Sequence, residues 1–299
     1  MHTFNKMFPH LTITHIEKLD KGWSNDSKYI LRDDENRKYL IRLSDLDQKD
    51  KKMREYDLIQ KCFAAGIPVQ KPIAHGETDC HYYLLLEWIE GDEATDRLPR
   101  LPEAEQYKLG VEAGKNLWKM HQINLEQPEE TWESKATRKI HRKISMYNEC
   151  DYKYEKGHLF LEYIETHRHL LKNRRQVLHH GDYHVGNMII DADHGFHIID
   201  FNRHDIGEPW EEFNRIVWSA QVSPAFASGQ VDGYFKNGVP DDFWQLLLLY
   251  ICANTLSSLP WGIPFGRAQI EIFMKQAREV LGWHDDMQSV MPSWYRHPS

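Results

Sequence analysis

Cysteine is scarce in this 299-residue chain: Cys62, Cys80, Cys150 and Cys252 lie far apart, and no C-x-x-C pair occurs. That spacing excludes a disulfide framework and a zinc knuckle, and it leaves the thiols idle in a reducing compartment. Long apolar runs are missing. The densest, "LLLLYICA" at 246–253, falls far short of the ~20 residues that span a bilayer. The start, "MHTFNKMFPHLTI", lacks the apolar core that follows a basic head in a signal peptide. A basic excess is missing too. With 37 Lys and Arg against 45 Asp and Glu, the formal net charge is −8. This balance disfavours a nucleic-acid partner and suits a cationic small ligand if the acids gather in a cleft. Together these absences predict a cytoplasmic protein with a small-molecule partner, no membrane, no nucleic acid and no obligate protein partner.

Histidine is plentiful, at 18 residues, but its spacing is not that of a metal site. His179, His180 and His184 lack further donors at a suitable distance, and no H-E-x-x-H occurs, so no histidine metal site is expected. Hydrophobic residues at 41% and charged residues at 27% are ordinary for a globular protein.

The first ninety residues read as a sheet. "LTITHIEKL" (11–19), "KYIL" (28–31) and "KYLIRLS" (38–44) are strand-like runs separated by turn residues. A charged helix follows over "DQKDKKMREYDLIQKCFAAG", with Met53, Tyr56, Ile59 and Phe63 spaced along one face and Gly66 as its stop. "HYYLLLEWIEG" (81–91) predicts a buried strand ending at Gly91. From residue 102 the periodicity is helical, including about 209–222, 241–258 and 267–281. It is interrupted by two short strands, "NMIID" and "FHIIDF", around the turn "ADHG". An isolated hairpin inside a helical region calls for a functional reason.

"HHGDYHVGN" at 179–187 supplies one. Asp182 and Asn187 sit five residues apart in a loop entering the first strand, and Asp200 ends the partner strand, so the turn brings it near Asn187. Phosphoryl transfer needs such a set, because its loose transition state demands positioning and charge neutralisation more than covalent chemistry. Asp182 is the expected base, accepting the proton of an attacking hydroxyl. Asn187 and Asp200 offer the hard oxygen donors that Mg²⁺ takes. A simple turn, with Asp182 capping backbone amides, accounts for H-G-D alone. It does not account for D-x4-N, a hairpin and I-D-F together.

"HGDYHVGN" followed by "IIDF" resembles the catalytic and metal-binding loops of the aminoglycoside phosphotransferase and choline kinase superfamily, relatives of the protein kinases. The resemblance runs in order from about residue 11 to about 282. It implies a bilobal, protein-kinase-like α+β fold, with an N-lobe over 1–88 and a C-lobe over 89–299. It implies ATP or GTP as co-substrate with Mg²⁺. "DKGWSNDSKYIL" (20–31) resembles the nucleotide-covering hairpin, so Gly22, Ser24 and Asn25 are expected over the phosphates. Arg42 in "KYLIRLS" stands at the place of the phosphate-contacting base, and Glu55 at that of its helix partner. Glu87, Trp88 and Ile89 resemble the hinge that meets the base through backbone groups. His180, Gly181, His184 and Gly186 are expected to shape the loop.

Two departures stand out. The family usually has lysine where this chain has Arg42, a planar fork rather than a point charge, and Lys38 lies four residues too early to replace it. The covering loop has Gly22 alone instead of three glycines. Beyond Asp200, "NRHDIGEPWEEFNRIVW" crowds acids with Trp210 and Trp218, and "GEPWEE" resembles the family's "G-D-P-x-x-D" segment. Asp205, Glu208 and Glu212 are the expected acceptor-side contacts. An acidic, aromatic cleft fits an aminoglycoside-type antibiotic. A metabolite kinase acting on choline, ethanolamine, homoserine or a sugar adduct is the alternative, and a nucleotide-binding pseudokinase module is a third reading. No activation segment follows Asp200, which argues against a protein kinase.

Overall fold

The computed structural model describes residues 4, 7–20 and 26–296, which form two compact units. The first joins residues up to 93 with 187–204; the second joins 94–186 with 205–299. The hairpin after "HHGDYHVGN", which the sequence places in the second part, therefore belongs with the first unit.

The first unit is built on an antiparallel sheet of β1 (Ile13–Lys18), β2 (Ser27–Asp33), β3 (Lys38–Asp45), β4 (Pro72–Glu77) and β5 (His81–Glu87). Its strand order is β1-β2-β3-β5-β4. β3 is central, and alternation sorts its side chains. Tyr39 and Ile41 join Phe8, Ile13, Leu31 and Leu85 in an apolar cluster on one face. The other face carries Arg42 and Ser44, and here α1 (Lys49–Ala64) packs, with Tyr56 against Tyr82 and Leu84.

The buried face of α1 is not the predicted one. Tyr56 and Ile59 are inside, but Met53 and Phe63 are 37% and 44% exposed. The remaining buried positions are Lys52, Glu55, Leu58 and Cys62. Two charged residues sit inside because they neutralise each other and their neighbours. Gly66, at φ +69°, ends the helix while Ile67 N–H donates to the Cys62 carbonyl.

β5 stops at Glu87 rather than at Gly91. The chain then meets the hairpin of β8 (Met188–Ile190) and β9 (Phe196–Ile198) through the short strand β6 (Asp92–Glu93). A side chain at Gly91 would lie 2.6 Å from the Ile190 carbonyl oxygen, so only glycine passes there.

In the second unit, α2 (Glu103–Met120) and α6 (Pro224–Tyr234) touch backbone to backbone. A Cβ at Gly110 would lie 2.1 Å from the Phe226 carbonyl oxygen, and one at Gly229 would lie 2.2 Å from that of Tyr107. The sequence reading has no helix over 224–234. α3 (Trp132–Glu149), α4 (Gly157–His167), α5 (Ile216–Val222) and α8 (Arg267–Trp283) complete the set with α7 (Asp241–Gly262). α7 extends well beyond "LLLLYICA", and the most apolar 18-residue window of Asp241–Phe265 has a mean hydropathy of 1.4. Its most apolar window is 78% buried inside the protein, so it is a core helix. Between the helices, β7 (Val177–His179) pairs antiparallel with β10 (Asp205–Gly207).

Candidate active site

Arg42 is 3% exposed and lies between two carboxylates. Its Nε and Nη2 donate to Asp26 at 3.0 and 2.6 Å, and Nη1 donates to Glu55 at 2.6 Å. Lys52, one helical turn before Glu55, points its ammonium at the same pair: 2.8 Å to Asp26 and 3.1 Å to Glu55. Ser44 donates to Asp26 at 2.7 Å. Two cations and two anions thus form a closed, buried, neutral quartet. Burial works against the Asp26 charge, but Arg42 and Lys52 outweigh it and hold the carboxyl down to about 2. Burial likewise opposes the guanidinium, yet Glu55, Asp200 and Asp26 hold Arg42 firmly charged.

Asp200 stands at the edge of this quartet, 3.8 Å from Arg42 and 38% exposed along its side chain. Its backbone is left-handed, φ +64°, where the chain leaves β9 and its carboxylate accepts from Asn202 N–H at 3.4 Å. Asn202 in turn accepts from Lys52 at 3.1 Å, tying this turn to α1. Asn187 enters β8, and its carbonyl accepts from Ile199 N–H at 3.0 Å, which places it across the hairpin beside Asp200. An amide oxygen and a partly exposed carboxylate on adjacent strand ends are hard donors, and this set fits a small divalent cation such as Mg²⁺.

The segment expected to meet the base is held mainly through its backbone groups. Glu87 N–H donates to Lys71 and its carbonyl accepts from the Gln70 side chain, while Trp88 N–H donates to Lys38. Ile89 follows directly. Lys38 pairs with Glu90 on the far end of the strand from Arg42. Gly22, Ser24 and Asn25 lie outside the described residues.

Asp182 belongs to the second unit, in a loop that builds itself from local bonds. Gly181 needs its φ of +84°. Asp182 N–H donates to His180 Nδ1 at 3.2 Å, and Gly186 N–H to His184 Nδ1 at 3.1 Å. Tyr183 is fully buried and donates to the Ala113 carbonyl at 2.7 Å. The Asp182 carboxylate is 21% exposed, with Arg215 Nε at 3.3 Å and His184 Nε2 at 3.6 Å. The neighbouring cation favours the ionised carboxylate, and its partial exposure leaves it able to accept a hydrogen bond from a substrate hydroxyl.

The acids of 205–212 do not form the acidic surface that the sequence predicts. Glu208 is 1% exposed, accepts from Arg174 at 3.0 Å and caps the backbone N–H of Trp210 and Glu211. Glu212 is 2% exposed and accepts from Gly181 N–H at 2.9 Å, so it supports the Asp182 loop from behind. Glu211 pairs with Lys139 at 2.7 Å. Asp205 stays at the surface, 48% exposed, but pairs with Lys135 at 2.9 Å. Each of these acids has a cation or a backbone donor: lysines for Asp205 and Glu211, backbone N–H groups for Glu208 and Glu212. The aromatic side of the predicted cleft is also occupied: Arg174 lies 4.1 Å over Trp210, and Trp244 is buried against Tyr295.

Behind the loop, His121, His179 and Glu212 are all buried, with potential ligand atoms within 4.8 Å of one another. Burial pushes Glu212 up to about 8 and His179 down to about 4, which leaves the set uncharged near neutral pH. The second Glu212 oxygen and His121 Nε2 have no hydrogen-bond partner among the described residues. A cavity of about 550 Å³ opens elsewhere in the second unit, beside Lys156, Arg278 and Asp286, and holds none of the candidate residues.

Sequence reading missed Asp26, Lys52 and Asn202 in the quartet's surroundings, and Arg215 beside Asp182. The Lys52–Glu55 spacing was the one available signal, since i and i+3 are neighbours on a helix.

The model of the phosphotransferase enzyme family matches residues 15–244. Among solved structures, the chain is similar to a GDP complex of aminoglycoside 2'-phosphotransferase-IIIa: 13% identity, 94% of this chain, 97% of that one, TM-score 0.70. It is similar to spectinomycin phosphotransferase in complex with ADP and spectinomycin: 14% identity, 93% of each chain, TM-score 0.67. It is also similar to an amicoumacin kinase bound to AMP-PNP and Ca²⁺: 14% identity, 97% of this chain, 95% of that one, TM-score 0.65. No curated protein matches the sequence at a significant level. With the family model spanning most of the chain and the protein-kinase-like α+β fold in place, the protein belongs to the phosphotransferase enzyme family and is a phosphotransferase with an alcohol group as acceptor.

Proposed function

We propose that this enzyme transfers the γ-phosphate of ATP or GTP to a hydroxyl of a cationic small molecule, in the first instance an aminoglycoside-type antibiotic, in the cytoplasm. The observation that carries the reading is Asp200 with Asn187 beside a dry Arg42–Glu55 pair: a metal-ready carboxylate at the edge of a fixed positive group. In this reading Asp182 orients the acceptor hydroxyl and takes its proton. Asn187 and Asp200 would hold Mg²⁺, which supplies charge neutralisation to the phosphate oxygens when bound. Gly22, Ser24 and Asn25 cover the phosphates, Glu87 to Ile89 meet the base, and Asp205 is the acceptor-side contact retained at the surface. Glu208 and Glu212 act from behind, by fixing the loop.

A metabolite kinase is the second reading, and one feature favours it. The acids of 205–212 are already paired, so little free negative charge awaits a polycation. An acceptor with a single amine, or a neutral sugar adduct, then fits equally well.

The test is Mg²⁺-dependent release of ADP or GDP with aminoglycosides, macrolides, choline, ethanolamine and homoserine. Aminoglycoside-dependent release that vanishes in Asp182→Ala supports the first reading. Release with a metabolite alone moves the assignment to the second. Tight nucleotide binding with no release from any of these acceptors removes the aminoglycoside reading and moves weight to a metabolite outside the panel or to the pseudokinase.

A further inference from the structure

A row of rings leads away from the Asp182 loop, all of it within the second unit. His184, whose Nε2 lies 3.6 Å from the Asp182 carboxylate, has its ring 6.3 Å from that of Trp218 on α5. Trp218 lies 6.0 Å from Phe273 on α8, and Phe273 lies 6.0 Å from Trp261 at the end of α7. Trp261 lies 4.6 Å from Phe265, in the turn between α7 and α8. These centroid distances are those of aromatic rings in contact. The middle of the row is tightly fixed: a Cβ at Gly262 would lie 2.8 Å from the Phe273 ring, so the end of α7 closes directly over it.

Core packing accounts for Phe273, which is buried. It does not account for the rest of the row. Trp218 is half-buried, Trp261 is 36% exposed and Phe265 is 46% exposed, with Ile263 and Ile272 exposed beside them in the chain. Apolar side chains scattered singly on a surface need no explanation, but rings in contact that run from an open face to a carboxylate do. The polar groups beside the row hold one another. Gln276 donates to Gln221, one turn after Trp218, at 2.8 Å, and Gln221 donates to Glu279. At the inner end Arg215 stands 3.3 Å from Asp182, so a polycation brought there would meet a like charge. What the row presents to a ligand is ring faces, and an apolar lining with a single convergent carboxylate is the usual make-up of a small-molecule site.

We propose that this row is the wall against which the acceptor binds, and that the acceptor is a hydroxylated molecule with an aromatic or similarly flat apolar portion, stacked on Trp218 with its reacting hydroxyl at Asp182. This rests on the kinase reading above and narrows it, away from polycationic antibiotics and toward neutral or singly charged alcohols that carry a ring. Trp218 is then a specificity-determining residue: it selects the acceptor through its ring face and takes no part in the proton or phosphoryl transfer. Trp261 and Phe265 extend the same wall toward solvent.

The experiment is calorimetric titration of the full-length protein, with Mg²⁺ and a non-hydrolysable ATP analogue present, for wild type, Trp218→Leu and Trp261→Ser. The probes are two matched pairs and one polycation: phenyl glucoside against methyl glucoside, phenylethanolamine against ethanolamine, and neamine. In wild type the phenyl member of at least one pair should bind about 10-fold or more tightly than its partner, and more tightly than neamine. Trp218→Leu should bring the two members of that pair within about threefold, and Trp261→Ser should weaken the phenyl member by a smaller factor. Affinity for the ATP analogue, titrated separately, should stay within about twofold in both variants. Equal binding within both pairs in wild type, or a phenyl preference that neither variant reduces, would overturn the wall while leaving the kinase reading intact. Neamine binding more tightly than both phenyl probes would overturn the acceptor class. Wild type that binds no ATP analogue would remove the kinase reading, and the acceptor role of the wall with it. If Trp218→Leu does not fold, Trp261→Ser decides: a reduced phenyl preference supports the wall, and an unchanged one removes it.

Discussion

Lys52 and Glu55 lie one helical turn apart on the same inward face of α1, both 2% exposed or less, with Lys52 Nζ donating to Glu55 Oε2 at 3.1 Å. The lysine is held there by Asp26, Glu55 and the Asn202 amide oxygen. Lys52→Met should leave Asp26, Glu55 and Arg42 with an uncompensated buried negative charge and cost about 3–5 kcal/mol. Urea unfolding of the two proteins measures it. A midpoint unchanged in Lys52→Met would mean that the quartet is not closed in solution.

Asp182 is the group for which chemistry, rather than stability, should change. Asp182→Asn keeps the size of the side chain and removes the base, and turnover should fall by about 10²- to 10⁴-fold. Nucleotide affinity should stay within about twofold, because the predicted role concerns the acceptor hydroxyl. Comparable losses of kcat and of nucleotide binding would show that the loop had collapsed instead. Arg215→Ala, which removes the cation 3.3 Å from that carboxylate, should lower kcat by a smaller factor and leave nucleotide binding alone.

Glu212 makes a pH prediction. Burial pushes it up to about 8, far above an ordinary carboxyl, so the folded state keeps a proton that the unfolded chain loses near pH 4.5. Stability from this group is fully present below that value and is lost as pH rises toward 8. The slope is at most about 1.4 kcal/mol per pH unit for one proton. Glu212→Gln, uncharged at every pH, should flatten the thermal midpoint against pH between 4.5 and 8. An unchanged slope would place the proton elsewhere; Glu208, pushed up to about 7 by burial, is the next candidate.

The crossing of α2 and α6 separates two kinds of glycine. Gly110→Ala drives a methyl to 2.1 Å from a carbonyl oxygen of the partner helix, and overpacking of this sort costs about 1–3 kcal/mol or more. Gly282, in α8, has nothing within 4 Å of its Cβ position, so Gly282→Ala should gain up to about 1 kcal/mol from helix propensity. Thermal midpoints of the two variants should move in opposite directions.

How much of this was legible in the sequence depends on what each residue is doing. The hairpin of β8 and β9 and the loop leading into it could be read because D-x4-N and I-D-F combine rare residue types with a turn. The helix Pro224–Tyr234 could not: it is buried nearly all round with small residues, so no apolar stripe marks it. The face of α1 was misjudged because periodicity counts apolar residues. It cannot see that Lys52 and Glu55 go inside as partners while Met53 and Phe63 stay out. The acids of 205–212 look like a surface by composition. Glu208, Glu211 and Glu212 are inside, where Arg174, Lys139 and backbone N–H groups meet them, while Asp205 stays at the surface with Lys135.

The quartet has a consequence for heredity. Asp26, Arg42, Lys52 and Glu55 come from one strand, a helix and the segment before β2, yet none can change its charge alone without stranding another in a dry site. Relatives should therefore exchange these four as a set. A chain with an apolar residue at position 52 should have given up a carboxylate at 26 or 55 as well.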